Sequence, residues 1–187
     1  MELLLLDAAE QLLEDEGPDA LSVRRIAAAA GVAPMGVYNH FASKSGIIDG
    51  LFIRGFDRLR DALVTLVQID DPFDAMLEGG RRYRNLALAH PRTYALMFLR
   101  PVAGYRPSAE AKQVAAGAFG GLVMGVERAM QSGVIDKGDP AEVAQMIWAS
   151  CHGWVSLEIC DIGFVSDLDG GADRLRHALL RGLRSAS

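Results

Sequence analysis

The chain has two cysteines among its 187 residues, Cys151 and Cys160. They stand nine positions apart on what reads as a single helix, on opposite faces, where no disulfide can close. A disulfide-held scaffold is excluded, and a reducing cytoplasm is the expected setting. No apolar run approaches the roughly eighteen residues needed to cross a membrane. The opening MELLLLDAAEQLL is not expected to be a secretory leader, since an acid follows Met1 and Asp7 and Glu10 interrupt it.

Catalytic and cofactor signatures are also missing. There is no HExxH, GxSxG or CxxC spacing, and the four histidines, His40, His90, His152 and His177, fall on separate expected elements. No metal set is therefore expected. Cys151 and His152 are neighbours in sequence, but on a helix they point about 100° apart and make a poor dyad. No strand precedes GGRRYR and the Walker spacing is absent, so no nucleotide or other cofactor is expected. Glu158 and Asp161 share a helix face, which a solvated or salt-bridged surface explains. The sequence does not describe an enzyme.

Charge of one sign is missing from two adjoining stretches. Residues 1–21 hold seven acids and no base, while residues 22–48 hold Arg24, Arg25 and Lys44 and no acid. The second stretch carries a net +3 inside a chain whose net charge is −5. It contains SVRRIAAAAGVAPMGVYNHFASK, which reads as two short helices across a tight turn. Ser22 can cap the first, and Val23, Ile26 and Ala27 form its apolar face. Gly31 suits the left-handed stop, Val32 the corner, and Pro34 the first position of the second helix. Val37 and Phe41 bury that helix, leaving Pro34, Met35, Gly36, Tyr38, Asn39 and His40 outward. Such a helix-turn-helix can set its second helix in a DNA major groove.

The remaining sequence reads as helices. Residues 2–16 are amphipathic, with Leu5, Ala8, Ala9 and Leu12 expected inward. Ser43 or Ser45 can cap a long helix over about 44–67. Further helices are expected from Phe73 to Ala89, from Pro91 past Phe98, from Ser108 to Ser132, from Pro140 (capped by Asp139) to about Ile162, and from about Ala172 to Arg184. RPVAGYRPS and GFVSDLDGG read as loops, the former as the most mobile part of the chain. Half of the residues are apolar, enough for a core in a chain of this length. There are no internal repeats or low-complexity tracts.

Leu5, Leu6, Ala8, Ala9, Leu12 and Gly17, then SVRRIAAAAGVA, then GVYNHFASKSGIIDGLF, closely resemble the N-terminal domain of the tetracycline-repressor (TetR) family. Its members are homodimeric, ligand-responsive transcription regulators, most of them repressors. Two positions depart from the pattern. Ala33 replaces the usual Ser or Thr cap of the second helix, which removes one phosphate contact, and Asn39 follows Tyr38 where an aromatic is common. LALAHPRTYALMF, with Trp148-Ala-Ser-Cys-His152-Gly153, resembles the C-terminal subgroup named for a Trp-His-Gly signature.

The resemblance implies an all-α fold of about nine helices. Residues 1–45 form the DNA-binding domain and 46–187 the helical effector-binding and dimerisation domain. Ser22, Arg24, Tyr38, His40 and Lys44 are expected on phosphates, and Pro34, Met35, Gly36 and Asn39 on bases. The expected partners are palindromic double-stranded DNA, a small-molecule effector and a second copy of the chain, with no membrane. The last two helices would pair as a four-helix bundle, with the small residues Ala144, Gly153, Gly171, Ala178 and Gly182 allowing close approach. Trp148, Cys151, His152, Val155 and Ile159 share one helix face. Trp148 and His152 from it, with Met76, Tyr83, Tyr94, Phe98, Phe119 and Met124, are the expected lining of an apolar effector pocket. These residues read equally well as plain core. The alternative function is a helical protein-binding or scaffold module that never touches DNA.

Overall fold

The computed structural model describes residues 1–99 and 102–184, which contain helices, turns and loops and no strand. In chain order the helices are α1 (Glu2–Glu16), α2 (Val23–Ala29), α3 (Pro34–Tyr38), α4 (Lys44–Leu63), α5 (Pro72–Ala89), α6 (Pro91–Phe98), α7 (Ala109–Gln131), α8 (Pro140–Ile159) and α9 (Leu168–Gly182). Short 3-10 turns occupy Pro18–Ala20 and Val64–Gln68. The chain makes two compact units, one of Met1–Arg58 with His90–Ala116, the other of Leu59–Ala89 with the chain from Gly117 on. Helices α4 and α7 each begin in the first unit and end in the second.

Helix starts follow local chemistry. The Ser22 hydroxyl accepts from the Arg25 amide at 3.3 Å, and Ser43 from the Gly46 amide at 3.3 Å. Asp139 accepts from the amides of Ala141 (2.8 Å) and Glu142 (3.4 Å), and Pro140 opens α8 behind it. Gly31 has φ 67°, the left-handed conformation that ends α2 at least cost without a Cβ.

In the first unit, α1, α2, α3 and the start of α4 enclose one core. Leu5, Leu13, Ile26, Val37, Ile47 and Leu51 lie at its centre, and Leu96 of α6 joins them. The inward stripe of α1 differs from expectation. Leu5, Leu6, Ala9 and Leu13 are buried, while Ala8 and Leu12 are only half-buried. Four consecutive leucines allow more than one helical phase. The observed phase also turns Glu10 inward, where both of its carboxylate oxygens meet Arg58 (Nη2 at 2.8 Å from Oε2) and Arg54 Nε lies 3.4 Å from Oε2.

The second unit packs Leu77 of α5, Val126, Ala129 and Met130 of α7, Ala144 and Ile147 of α8 and Leu180 of α9 into a single cluster. Arg84 ties three helices together: Nε and Nη2 pair with the Glu158 carboxylate at 2.8 and 2.5 Å, and Nη2 also reaches Asp169 at 2.6 Å. Three boundaries moved. Helix α4 gives way to a 3-10 turn after Leu63, and α8 ends at Ile159, followed by Asp161 with φ 53°. Helix α9 begins at Leu168, because Asp167 accepts from the Gly170 amide at 2.9 Å and carries the two glycines into the helix. Gly171 is there for packing, since a Cβ would lie 2.5 Å from Trp154 Cη2. Of the five small residues expected on the pairing surface, Ala144 and Gly171 are buried within the unit, whereas Gly153, Ala178 and Gly182 are exposed.

Candidate nucleic-acid interface and ligand site

The helix-turn-helix forms as its sequence dictates. Ile26 and Ala27 of α2 and Val37 of α3 are buried, with Val32 packed against them at the corner. Pro34 opens α3 behind Ala33, which contributes no side-chain cap. Arg24, Pro34, Met35, Tyr38, Asn39, His40 and Lys44 are exposed, and Ser22 and Gly36 half-buried. Exposure is decisive for two large apolar groups, because Met35 at 68% and Tyr38 at 52% give the fold little. Gly36 is likewise not required by packing: an added Cβ would meet only Val32, at 3.7 Å.

The acidic α1 affects the charge of this surface. Glu16 accepts from Arg25 Nη2 at 2.5 Å, and that hydrogen bond holds the Glu16 carboxyl below the usual carboxylate range. Arg25 is thus neutralised by its neighbour, so Arg24 and Lys44 supply the exposed positive charge of the segment.

A second constellation lies on α5, α7 and α8 within the second unit. Trp148 Nε1 donates to Tyr83 Oη at 3.3 Å, and Tyr83 Oη lies 3.1 Å from His152 Nδ1. An indole N–H can only donate, so Tyr83 Oη accepts from Trp148, while the direction of its bond to His152 Nδ1 follows the tautomer of the imidazole. Burial favours the neutral imidazole by pushing the His152 pKa down. The Phe119 ring stands 6.1 Å from Trp148, and Trp148 5.6 Å from His152.

The other expected lining residues are placed variously. Met76 of α5 reaches Gly125 of α7, with Sδ 3.6 Å from where a Cβ would stand. Met124 is 69% exposed. Tyr94 and Phe98 belong to the first unit, where their rings are 5.0 Å apart and Phe98 meets Phe56 at 5.3 Å. Cys151 is on the α8 surface facing Arg176 and Trp154, and burial raises its thiol pKa.

Sequence reasoning missed one anchor near the reader. In the segment expected to be a mobile loop, Arg100 and Pro101 lie outside the described residues, but Tyr105 Oη donates to Asp49 Oδ1 at 2.7 Å and the Ser108 amide to the same oxygen at 3.0 Å. Burial and the Asp49 carboxylate together raise the Tyr105 pKa far above its usual value. The partners are more than fifty residues apart, and no local pattern announces them.

Residues 5–51 match the model described as bacterial regulatory proteins of the tetR family, and residues 76–183 match the model described as the tetracyclin repressor-like C-terminal domain. The chain belongs to the TetR family. It is a helix-turn-helix, DNA-binding transcriptional regulator, not an enzyme. Among its relatives, an uncharacterized HTH-type transcriptional regulator of Mycobacterium tuberculosis is 27% identical over 90% of this chain and 73% of its own length. The HTH-type regulator AlkX of the same organism is 30% identical, over 50% of this chain and 45% of its own. A solved structure titled as a protein of unknown function from Rhodococcus sp. RHA1 superposes with TM-score 0.88 at 27% identity, covering 98% of this chain and 95% of that one. The TetR family regulator PfmR of Thermus thermophilus shares the fold at TM-score 0.74 and 20% identity, over 97% and 99% of the two chains.

Proposed function

We propose that this regulator binds a near-palindromic operator as a homodimer and is released from it by a small, largely apolar effector, acting as a repressor in the cytoplasm. The division of labour follows the sequence reading, with residues 1–45 contacting DNA and 46–187 serving the effector and the partner copy. Ser22, Arg24, Tyr38, His40 and Lys44 fix the reader on phosphates; Pro34, Met35, Gly36 and Asn39 face base edges. The observation that carries this reading is an exposed surface, on a stretch of sequence without acids, whose Met35, Tyr38 and Gly36 have no packing role.

Two-fold pairing would set the readers roughly 34–36 Å apart, or at a spacing that bent DNA accepts. Support for the pairing surface comes from exposed Met146, Ala149, Gly153 and Leu157 on α8 and Ala178 and Gly182 on α9. The effector would lie within the second unit, against Tyr83, Phe119, Trp148 and His152, with Met76 and Met124 as its further expected neighbours and His152 as the polar anchor; Tyr94 and Phe98, which belong to the first unit, are not part of it. Coupling would run along α4, whose first residue, Lys44, belongs to the reader. An effector can shift operator affinity only by its differential binding to the two states.

Selection from random duplexes tests the whole reading. A near-palindrome should be enriched, and sedimentation should give a dimer at micromolar concentration; enrichment of nothing, or a monomer, refutes it. On the selected site, Lys44→Ala should weaken every sequence alike and reduce the salt slope by about one unit. Asn39→Ala should relax preference at one base pair by about 1–3 kcal/mol. Equal losses on specific and random DNA would remove Asn39 from the bases.

A further inference from the structure

Helix α6 has no cap of its own. His90, the residue before it, makes no side-chain cap bond, and Pro91 has no amide hydrogen. The first amides of the helix are therefore those of Arg92 and Thr93, which lie ahead of the first intrahelical bond, from Tyr94 N to His90 O at 2.9 Å. Both are capped by another helix. Glu14 of α1 accepts from Thr93 N with Oε1 at 2.8 Å and from Arg92 N with Oε2 at 3.2 Å. The exchange is reciprocal: Arg92 Nη1 donates to the carbonyl of Leu13 at 3.3 Å, near the C-terminal end of α1. A carboxylate thus meets the positive end of one helix and a guanidinium the negative end of the other.

The two helices are also packed together below this junction. Leu96 of α6 lies in the same buried cluster as Leu5 and Leu13 of α1. Thr93 is 4% exposed, so its amide depends on the Glu14 carboxylate as its acceptor, and losing that acceptor leaves a poorly hydrated donor. On the other side, α6 crosses α4 at Gly55, where a Cβ would come 2.6 Å from Met97 Sδ and 3.1 Å from Thr93 Cγ2. Helix α1 holds Arg25 of the reader through Glu16, two residues beyond Glu14.

We propose that Glu14 is a positioning residue for operator recognition: by capping α6 from α1, it fixes the helix-turn-helix to α6 and so sets which half-site spacing the dimer accepts. The inference rests on the palindromic-operator reading above. Glu14 touches no DNA. Its carboxylate joins the reader to a helix that continues in sequence into α5 on one side and α7 on the other. With the cap in place α1 to α3 are held to α6 as well as to α4, which keeps them through the Glu10 ion pairs and the shared core. Without it only the apolar contact with Leu96 ties them to α6, their tilt on α4 loosens, and several spacings become acceptable.

The test compares the full-length chain with Glu14→Ala, Glu14→Gln and Arg92→Ala. Two quantities are measured: amide exchange at Arg92 and Thr93, and affinity for the selected operator with one base pair added to or removed from its centre. Glu14→Ala should speed exchange at both amides by about threefold to thirtyfold, the equivalent of a lost helix cap. It should reduce discrimination between native and altered spacings by a similar factor and leave base preference within each half-site unchanged. Glu14→Gln retains one acceptor oxygen and should fall between; if Glu14→Ala does not fold, Glu14→Gln and Arg92→Ala carry the same comparison. Faster exchange with unchanged spacing discrimination would reduce Glu14 to a structural cap and overturn the proposal, as would unchanged exchange. If the wild-type chain enriches no palindrome, the operator reading itself fails, and the exchange measurement still decides whether the cap exists.

Discussion

Gly36 separates what the fold needs from what DNA recognition needs. It sits in the middle of α3, a helix of five residues, where glycine costs roughly 0.5–1 kcal/mol relative to alanine. A methyl group there would meet only Val32 Cβ and Cγ2, both at 3.7 Å, which is ordinary contact distance. Gly36→Ala should accordingly stabilise the protein by about 0.5–1 kcal/mol, raising the melting temperature by about 1–4 °C for a chain of this size. On the proposed operator the same methyl would add bulk to the helix that faces the bases. Overpacking a tight contact costs about 1–3 kcal/mol, so operator affinity should fall about 5- to 150-fold. Calorimetry on the free protein and fluorescence anisotropy on a labelled operator read the two effects separately, and they should have opposite signs. Wild-type affinity in a stabilised variant would refute the placement of Gly36 at the DNA. A destabilised variant would refute the packing argument.

Gly171→Ala should be costly, because its Cβ would stand 2.5 and 2.6 Å from two carbons of the rigid Trp154 ring; a loss of about 1–3 kcal/mol in urea unfolding is expected, and no loss would show the ring can move aside. Tyr83→Phe deletes the hydroxyl between Trp148 Nε1 and His152 Nδ1 and should cost about 1–3 kcal/mol; an unchanged urea midpoint would show that these two hydrogen bonds add nothing to stability. The His152 pKa is lowered in the folded state, so the unfolded chain binds more protons as pH falls through the unfolded value of about 6.5. Stability should drop on acidification through that region, and His152→Gln should make the drop shallower; parallel pH profiles for the two proteins would contradict this.

What was legible in the sequence was what is local. Ser22, Gly31, Pro34 and Asp139 act within a few residues of themselves, and each does in the structure what its chemistry implies. The pairing of Trp148 with His152 follows from helical spacing, and Ala33 was already recognisable as a helix start without a cap. The illegible features join distant residues. The inward turn of Glu10 depends on Arg54 and Arg58 more than forty positions later, and Glu14 finds α6 seventy-eight positions on. The two glycines at 170 and 171 read as loop because glycine favours loops on average. Only the Trp154 ring, on another helix, explains why one belongs inside α9. Tyr94 and Phe98 share a side of α6 as their spacing indicated, but spacing alone does not say which unit receives them.

The division of the chain into interleaved stretches has a consequence during synthesis. The unit that contains the DNA reader is closed only when His90–Ala116 has been added, since Leu96, Val102 and Tyr105 pack against the core begun by Leu5. At about 5–20 residues per second, a ribosome needs roughly 3–12 s to travel from Arg58 to Ala116. Throughout that interval the nascent N-terminal helices lack one wall of their core and have emerged ahead of the segment that provides it. A chaperone that covers short apolar stretches would find its target here, and a message truncated after Arg58 would encode a reader with that wall missing.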